Sequence, residues 1–145
     1  MSGARWRTIE HTADLGLEVV APSLEELFTA GALGLAGVLL GSEDGAAGDQ
    51  RGATVWRELA LEAPDTEALL VEWLRELLYI QITEVLLFAT ARFETLEGSR
   101  LVARVGFDRP SDAAPLEREL KGVTYHDLEV SRRGDGWFAR IVLDL

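Results

Sequence analysis

The sequence predicts an α+β protein, two helices packed on a mixed, largely antiparallel sheet of about six strands, in a single domain spanning residues 1–145. Three observations carry this expectation. Two segments repeat apolar residues at helical spacing, and each opens on a capping residue. The stretches around them alternate apolar and polar residues, as half-buried strands do. The order strand, helix, strand, helix, then four strands lays helices against a sheet instead of threading them through a parallel one. With 145 residues, 48% of them hydrophobic and 27% charged, the chain can bury roughly two thirds of its unfolded surface and leaves no room for a second domain.

Taken in order, "LGLEVVA" reads as a short strand, and "PSLEELFTAGALGLAGVLLG" as a helix whose start is marked by Ser23 and, three residues on, Glu26, a capping box. Leu24, Leu27, Phe28, Gly31, Leu35 and Val38 form its apolar stripe, and the small residues Gly31, Ala32 and Gly34 let it sit close to a sheet. Residues 41–53, "GSEDGAAGDQRGA", have no periodicity and read as a loop; neither GK[ST] nor GxGxxG occurs, so they are no phosphate cradle. "TVWRELALEAP" sets Leu59 and Leu61 against Glu58, Ala60 and Glu62, a strand that Pro64 ends.

Asp65 is placed to cap the second helix, "DTEALLVEWLRELLYIQIT", with Glu67 at the positive end of the helix dipole and Leu70, Trp73, Leu74, Leu77 and Leu78 on its buried face. Beyond Val85 the period falls to two, and a hairpin turning at Gly98 and Ser99 puts Leu101, Ala103, Val105 and Phe107 on one face and Arg100 and Arg104 on the other. "LERELKGVTYHDLEV" and "GWFARIVLDL" read as a last pair of strands turning at "RRGDG".

Composition narrows the function. A formal charge of -11 argues against gripping a phosphate backbone, which needs Lys and Arg to release counterions, and suits a basic protein partner; no direct nucleic-acid binding is expected. Without cysteine there is no disulfide, thiolate metal site or cysteine nucleophile, so any metal must be held by oxygen or imidazole. The first residues lack the apolar core of a secretory signal, and no run reaches the roughly 20 apolar residues that span a bilayer, so a cytoplasmic, non-membrane protein is expected, with a monomer favoured.

Chemistry gathers in few places. The chain carries thirteen arginines and one lysine, Lys121; either that ammonium survived by chance on a solvated face, or it occupies a site that a guanidinium cannot fill. The two histidines, His11 and His126, stand in "EHTADLG" and "LKGVTYHDLEV". A lone histidine is more often a satisfied polar residue than a ligand. The terminal "IVLDL" runs on inside a strand pattern, which suggests that the end itself has a task. Asp144 and the α-carboxylate of Leu145 put two acidic groups side by side. Were Asp14 beside them, three like charges would favour a hard divalent cation held by oxygen: Ca²⁺, Mg²⁺ or Mn²⁺ rather than Zn²⁺.

Together "HTADLGLEVVAPSLEELFTAGALGLAGVL", "LLVEWLRELLY", "LKGVTYHDLEV" and the terminal "IVLDL" resemble the archease family, in the family's own order and from His11 to Leu145. The family often shows Ile and Ala where this chain has Leu120 and Gly122. The resemblance implies a compact α+β protein that is not itself an enzyme. It would act as a metal-dependent cofactor of an RtcB-type RNA ligase, promoting guanylylation and multiple turnover in tRNA splicing or RNA repair. It implies a divalent metal, calcium before magnesium or manganese, on Asp14, Asp144 and Leu145, and roles for Lys121 and Thr124, with His11 and His126 as neighbouring candidates. Strand parity sets Lys121 with Val123 and Tyr125 against Thr124 with Gly122 and His126, so lining one site would require a bulge, expected at Gly122. The competing readings are a stand-alone metal-dependent hydrolase with a histidine base, and a chaperone or modulator of RNA-processing enzymes.

Overall fold

The computed structural model describes residues 3–10, 14–111, 116 and 118–145. It is α+β, with two helices and eight strands in two sheets. One sheet has the order β3-β1-β2-β8-β7, from β1 (Arg5–Glu10), β2 (Asp14–Ala21), β3 (Asp44–Ala46), β7 (Gly122–Arg133) and β8 (Gly136–Asp144). The other has the order β4-β6-β5, from β4 (Val55–Glu62), β5 (Leu87–Glu97) and β6 (Arg100–Asp108). Every pairing among the described residues is antiparallel. The expected six strands are all present. The two added ones are β1, where only Trp6 and Thr8 alternate with Arg5 and Arg7, and β3, three residues inside the expected loop that pair with β1. Neither is long enough to announce itself by period.

The helices are α1 (Leu24–Leu39) and α2 (Thr66–Glu84). Both caps form as expected: the Ser23 hydroxyl accepts from the Glu26 N–H at 3.2 Å, and the Asp65 carboxylate from the Ala68 N–H at 2.8 Å. α1 is buried almost all round, not along one stripe, because it packs against β1 and β2 of one sheet, β5 of the other, and α2. Such close packing depends on its small residues. A Cβ on Gly37 would come within 2.3 Å of the Trp6 ring, and one on Gly34 within 2.9 Å of Leu17, so these glycines seat β1 and β2 on the helix.

Between α1 and α2 lies an aromatic cluster. The rings of Phe28, Trp73, Phe88 and Phe93 stand 5.5 to 6.4 Å apart in tilted and edge-to-face arrangements, and the Trp73 indole N–H donates to the Phe28 carbonyl at 3.0 Å. α2 ends at Val85, a valine with a φ of 53°, in the left-handed region that β-branched residues seldom adopt. The turn is held by Gln81, fully buried, whose amide donates to the Leu77 carbonyl at 3.1 Å and accepts from the Phe88 N–H at 2.9 Å. Among the described residues no helix is long and apolar enough to cross a membrane.

Two glycines of α1 should respond oppositely to alanine. At Gly31 an added Cβ makes ordinary contact, 3.8 Å from Leu74, so Gly31→Ala should raise the unfolding free energy from a urea titration by up to about 1 kcal/mol through helix propensity. Gly37→Ala drives a methyl into Trp6 and should lose about 1–3 kcal/mol in the same titration.

Candidate functional site

β2 and β8 pair over eight consecutive residues, from Asp14 opposite Asp144 to Ala21 opposite Trp137, and Gly122 of β7 stands on the other side of Asp144. Residues directly opposed across an antiparallel ladder share a face. Asp14, Asp144 and Gly122 therefore form one row across three neighbouring strands. The next row, Leu15, Leu143 and Val123, points the other way and is buried in the core. Hydrophobic alternation thus fixes the acidic row on the outer face.

The two carboxylates differ in surroundings. Asp14 is half-buried, with its Oδ1 shielded from solvent, whereas Asp144 is exposed and its carboxylate has no hydrogen-bond or ion-pair partner among the described residues. The main-chain oxygen of Asp144 accepts from the Lys121 N–H at 2.8 Å, and the Leu145 side chain packs against the core, so the end of β8 is tied down. At Gly122 an added Cβ would meet nothing within 4 Å, which leaves room beside Asp144. Two like charges opposed across a ladder repel, and an oxygen-only donor set with open space beside it fits a hard divalent cation. Among the described residues no group of three or more His, Asp or Glu side chains could hold a metal, so the main-chain oxygens of Leu145 would have to complete the set.

The other sequence candidates are spread around this row. His11 lies outside the described residues. Thr124, opposite Val142, shares the face of Asp144 one row further along, but its hydroxyl accepts from the His126 N–H at 3.2 Å. Lys121 instead lines a groove against α2, together with Val123. The bulge in β7 is real, but it falls between Thr124 and Glu129 and not at Gly122, so Lys121 and Thr124 stay on opposite faces. Three extra residues are accommodated there, with Asp127 at a φ of 50°. His126 is carried out on this bulge into solvent, 3.3 Å from the Asp127 carboxylate.

Sequence reading missed what surrounds the bulge. The Tyr125 hydroxyl donates to Glu72 at 2.8 Å, and that hydrogen bond raises its pKa; the Arg75 guanidinium lies 4.7 Å from the Tyr125 ring centre, and its Nε donates to the Val123 carbonyl at 2.8 Å. Two rows from Asp14, a charge ladder crosses the same outer face. Glu18 accepts from Arg7 at 2.8 Å and from Arg140 at 3.2 Å, and Arg140 in turn stands 3.6 Å from Glu129. Burial alone would raise the Glu18 pKa, but the two guanidinium groups outweigh it and hold the carboxyl below its ordinary value of 4.5.

Fold and outer face together define an acidic α+β protein with two carboxylates opposed on the outer face of its larger sheet. The chain belongs to the Archease protein family (MTH1598/TM1083), whose model matches residues 6–145. It is 35% identical to the archease of Methanosarcina acetivorans, over 99% of this chain and 97% of that one. It is 38% identical to the archease of Thermococcus gammatolerans, over 97% and 99%. The solution structure of Methanobacterium thermoautotrophicum protein 1598 superposes with a TM-score of 0.72 at 26% identity, covering 97% of this chain and 98% of that one. The crystal structure of a Thermotoga maritima archease, described as a possible chaperone, shares the fold with a TM-score of 0.56 at 22% identity, over 94% of each chain.

The depressed Glu18 pKa makes a signed prediction. Its stabilisation is complete above the ordinary carboxyl range and is lost as pH falls through the folded-state value. Glu18→Gln should therefore lower the thermal midpoint at pH 7, and the gap between variant and parent should close as the pH is taken below 4.5.

Proposed function

We propose that this protein is a divalent-cation-binding cofactor of an RtcB-type RNA ligase, promoting the ligase's guanylylation and multiple turnover in tRNA splicing or RNA repair. The observation that carries the reading is the register that opposes Asp14 and Asp144 on the outer face, in a chain of the archease family. Asp14, Asp144 and the main-chain oxygens of Leu145 are the residues that would hold the cation, calcium before magnesium or manganese. When bound, such an ion neutralises and orients phosphate oxygens. The chain's own part is to present it: the core pairing of Leu15 with Leu143 holds the two carboxylate-bearing strands rigid, and the Lys121 N–H ties β7 to Asp144.

The ligase keeps the covalent chemistry in this reading, and no enzymatic turnover is assigned to the chain itself. A net charge of -11 supports docking on a basic, RNA-binding enzyme without competing for its RNA, in the cytoplasm. Thr124 sits one row away and His126 at the bulge, where they would meet the partner and not the ion. The description of the Thermotoga relative as a possible chaperone favours a second reading, in which the chain protects several RNA-processing enzymes.

Asp14→Asn and Asp144→Asn separate these readings. Each should stay folded, weaken calcium binding in a calorimetric titration by about tenfold or more, and abolish stimulation of multiple-turnover ligation by the cognate ligase. Full stimulation by both variants would sink the cofactor mechanism, and undiminished protection of unrelated clients from aggregation would favour the chaperone. Phosphoester turnover by the purified chain alone would point instead to a hydrolase.

A further inference from the structure

Among the described residues five large apolar side chains are exposed, and four of them, Tyr79, Ile82, Val85 and Tyr125, gather on the second half of α2 and the bulge of β7. Tyr79 and Ile82, three residues apart on α2, form a short stripe along one side of the helix end, and Val85 follows at its cap. Beside the stripe runs a groove of about 480 Å³ between α2 and the start of β7, lined by Arg75, Leu78, Tyr79, Ile82, Lys121 and Val123. β7 is an edge strand, and Arg75 already takes the outward carbonyl of Val123.

The charges at this groove run against those of the molecule. In a chain of net charge -11, its head carries the single lysine, exposed and with no ion pair among the described residues. Glu72 of α2 is committed to Arg75 and to the Tyr125 hydroxyl. Val85 adds a second sign: a β-branched residue is held in the left-handed region with its apolar side chain 54% exposed, where glycine or asparagine would relieve both penalties. The groove also joins the acidic row, since the Lys121 N–H bonds to Asp144 and Gly122 stands opposite it.

We propose that the α2–β7 groove docks a segment of the partner protein that lays apolar side chains on Tyr79 and Ile82 and sets a carboxylate on Lys121. This rests on the reading of the chain as a ligase cofactor. A protein segment fits better than RNA, because phosphate tracking requires several uncommitted cations and the groove offers one ammonium beside an arginine already in use. A segment seated here lies against the start of β7, whose Gly122 stands beside Asp144, so the groove grips while the row presents the cation.

The test is the affinity of the full chain for the cognate ligase by biolayer interferometry, with calcium titration and thermal midpoint measured alongside. Tyr79→Ser with Ile82→Ser should weaken ligase binding by about tenfold or more, leave calcium binding unchanged, and regain full stimulation at saturating concentration. Lys121→Glu should weaken binding similarly, and Lys121→Arg less. Should the double variant lose its fold, Tyr79→Ser alone, at a side chain 65% exposed, gives the same readout. Unchanged affinity in the folded double variant overturns the groove and leaves the cofactor reading standing. A parent chain that neither binds nor stimulates the ligase overturns both. Single-stranded RNA bound by the parent and lost in Lys121→Glu would assign the groove to RNA and overturn the proposal.

Discussion

The register between β2 and β8 is the constraint on which the molecule turns. Eight consecutive pairs put Leu15, Leu17 and Val19 beneath α1 together with Leu143, Ile141 and Ala139. A slip of one residue would invert both strands, carrying the leucines into solvent and the aspartates and Glu18 into the core. Apolar burial beneath α1 therefore dictates the geometry of the outer face. The carboxylates meet because the leucines behind them have no alternative.

Along that outer face the same strands solve two electrostatic problems differently. At Glu18 the chain answers a half-buried acid internally, with guanidinium groups from β1 and β8 on its two oxygens. At Asp14 and Asp144 two acids are opposed, and the third place in the row is a glycine with open space above it. The two arrangements stand two rows apart on one face of the same pair of strands.

Much of the fold was legible because its signals are local. Ser23 and Asp65 announce their helices, Gly98 and Ser99 their hairpin, and the alternation of Leu101, Ala103, Val105 and Phe107 its buried face. The two missed strands are short, and β3 exists only because β1 lies beside it. The burial of α1 on every side was hidden for a similar reason: Gly37 and Trp6, which meet ring against helix, are far apart in sequence and neither has a period. At the candidate site, Asp14 and Asp144 stood out as residues, but their opposition is a property of the sheet order. The bulge was foreseen by parity and misplaced, since glycine is the usual marker of irregular backbone and here Asp127 adopts the positive φ instead. The Arg75 and Tyr125 stack had no sequence signal at all, because it joins a helix face to a bulge.

Sheet order also has a meaning in time. In the order β3-β1-β2-β8-β7, the second strand of the chain finds its neighbour in the last, and Glu18 and Arg140, partners in the finished ladder, are 122 positions apart. During synthesis β2 emerges early and must wait with an open edge, covered on one face by α1, until nearly everything downstream has left the ribosome. Both aspartates enter the fold in that final step. A chain cut before β8 can hold both helices and the smaller sheet and still lack the acidic row altogether, because Asp14 and Asp144 are opposed only through the β2–β8 pairing.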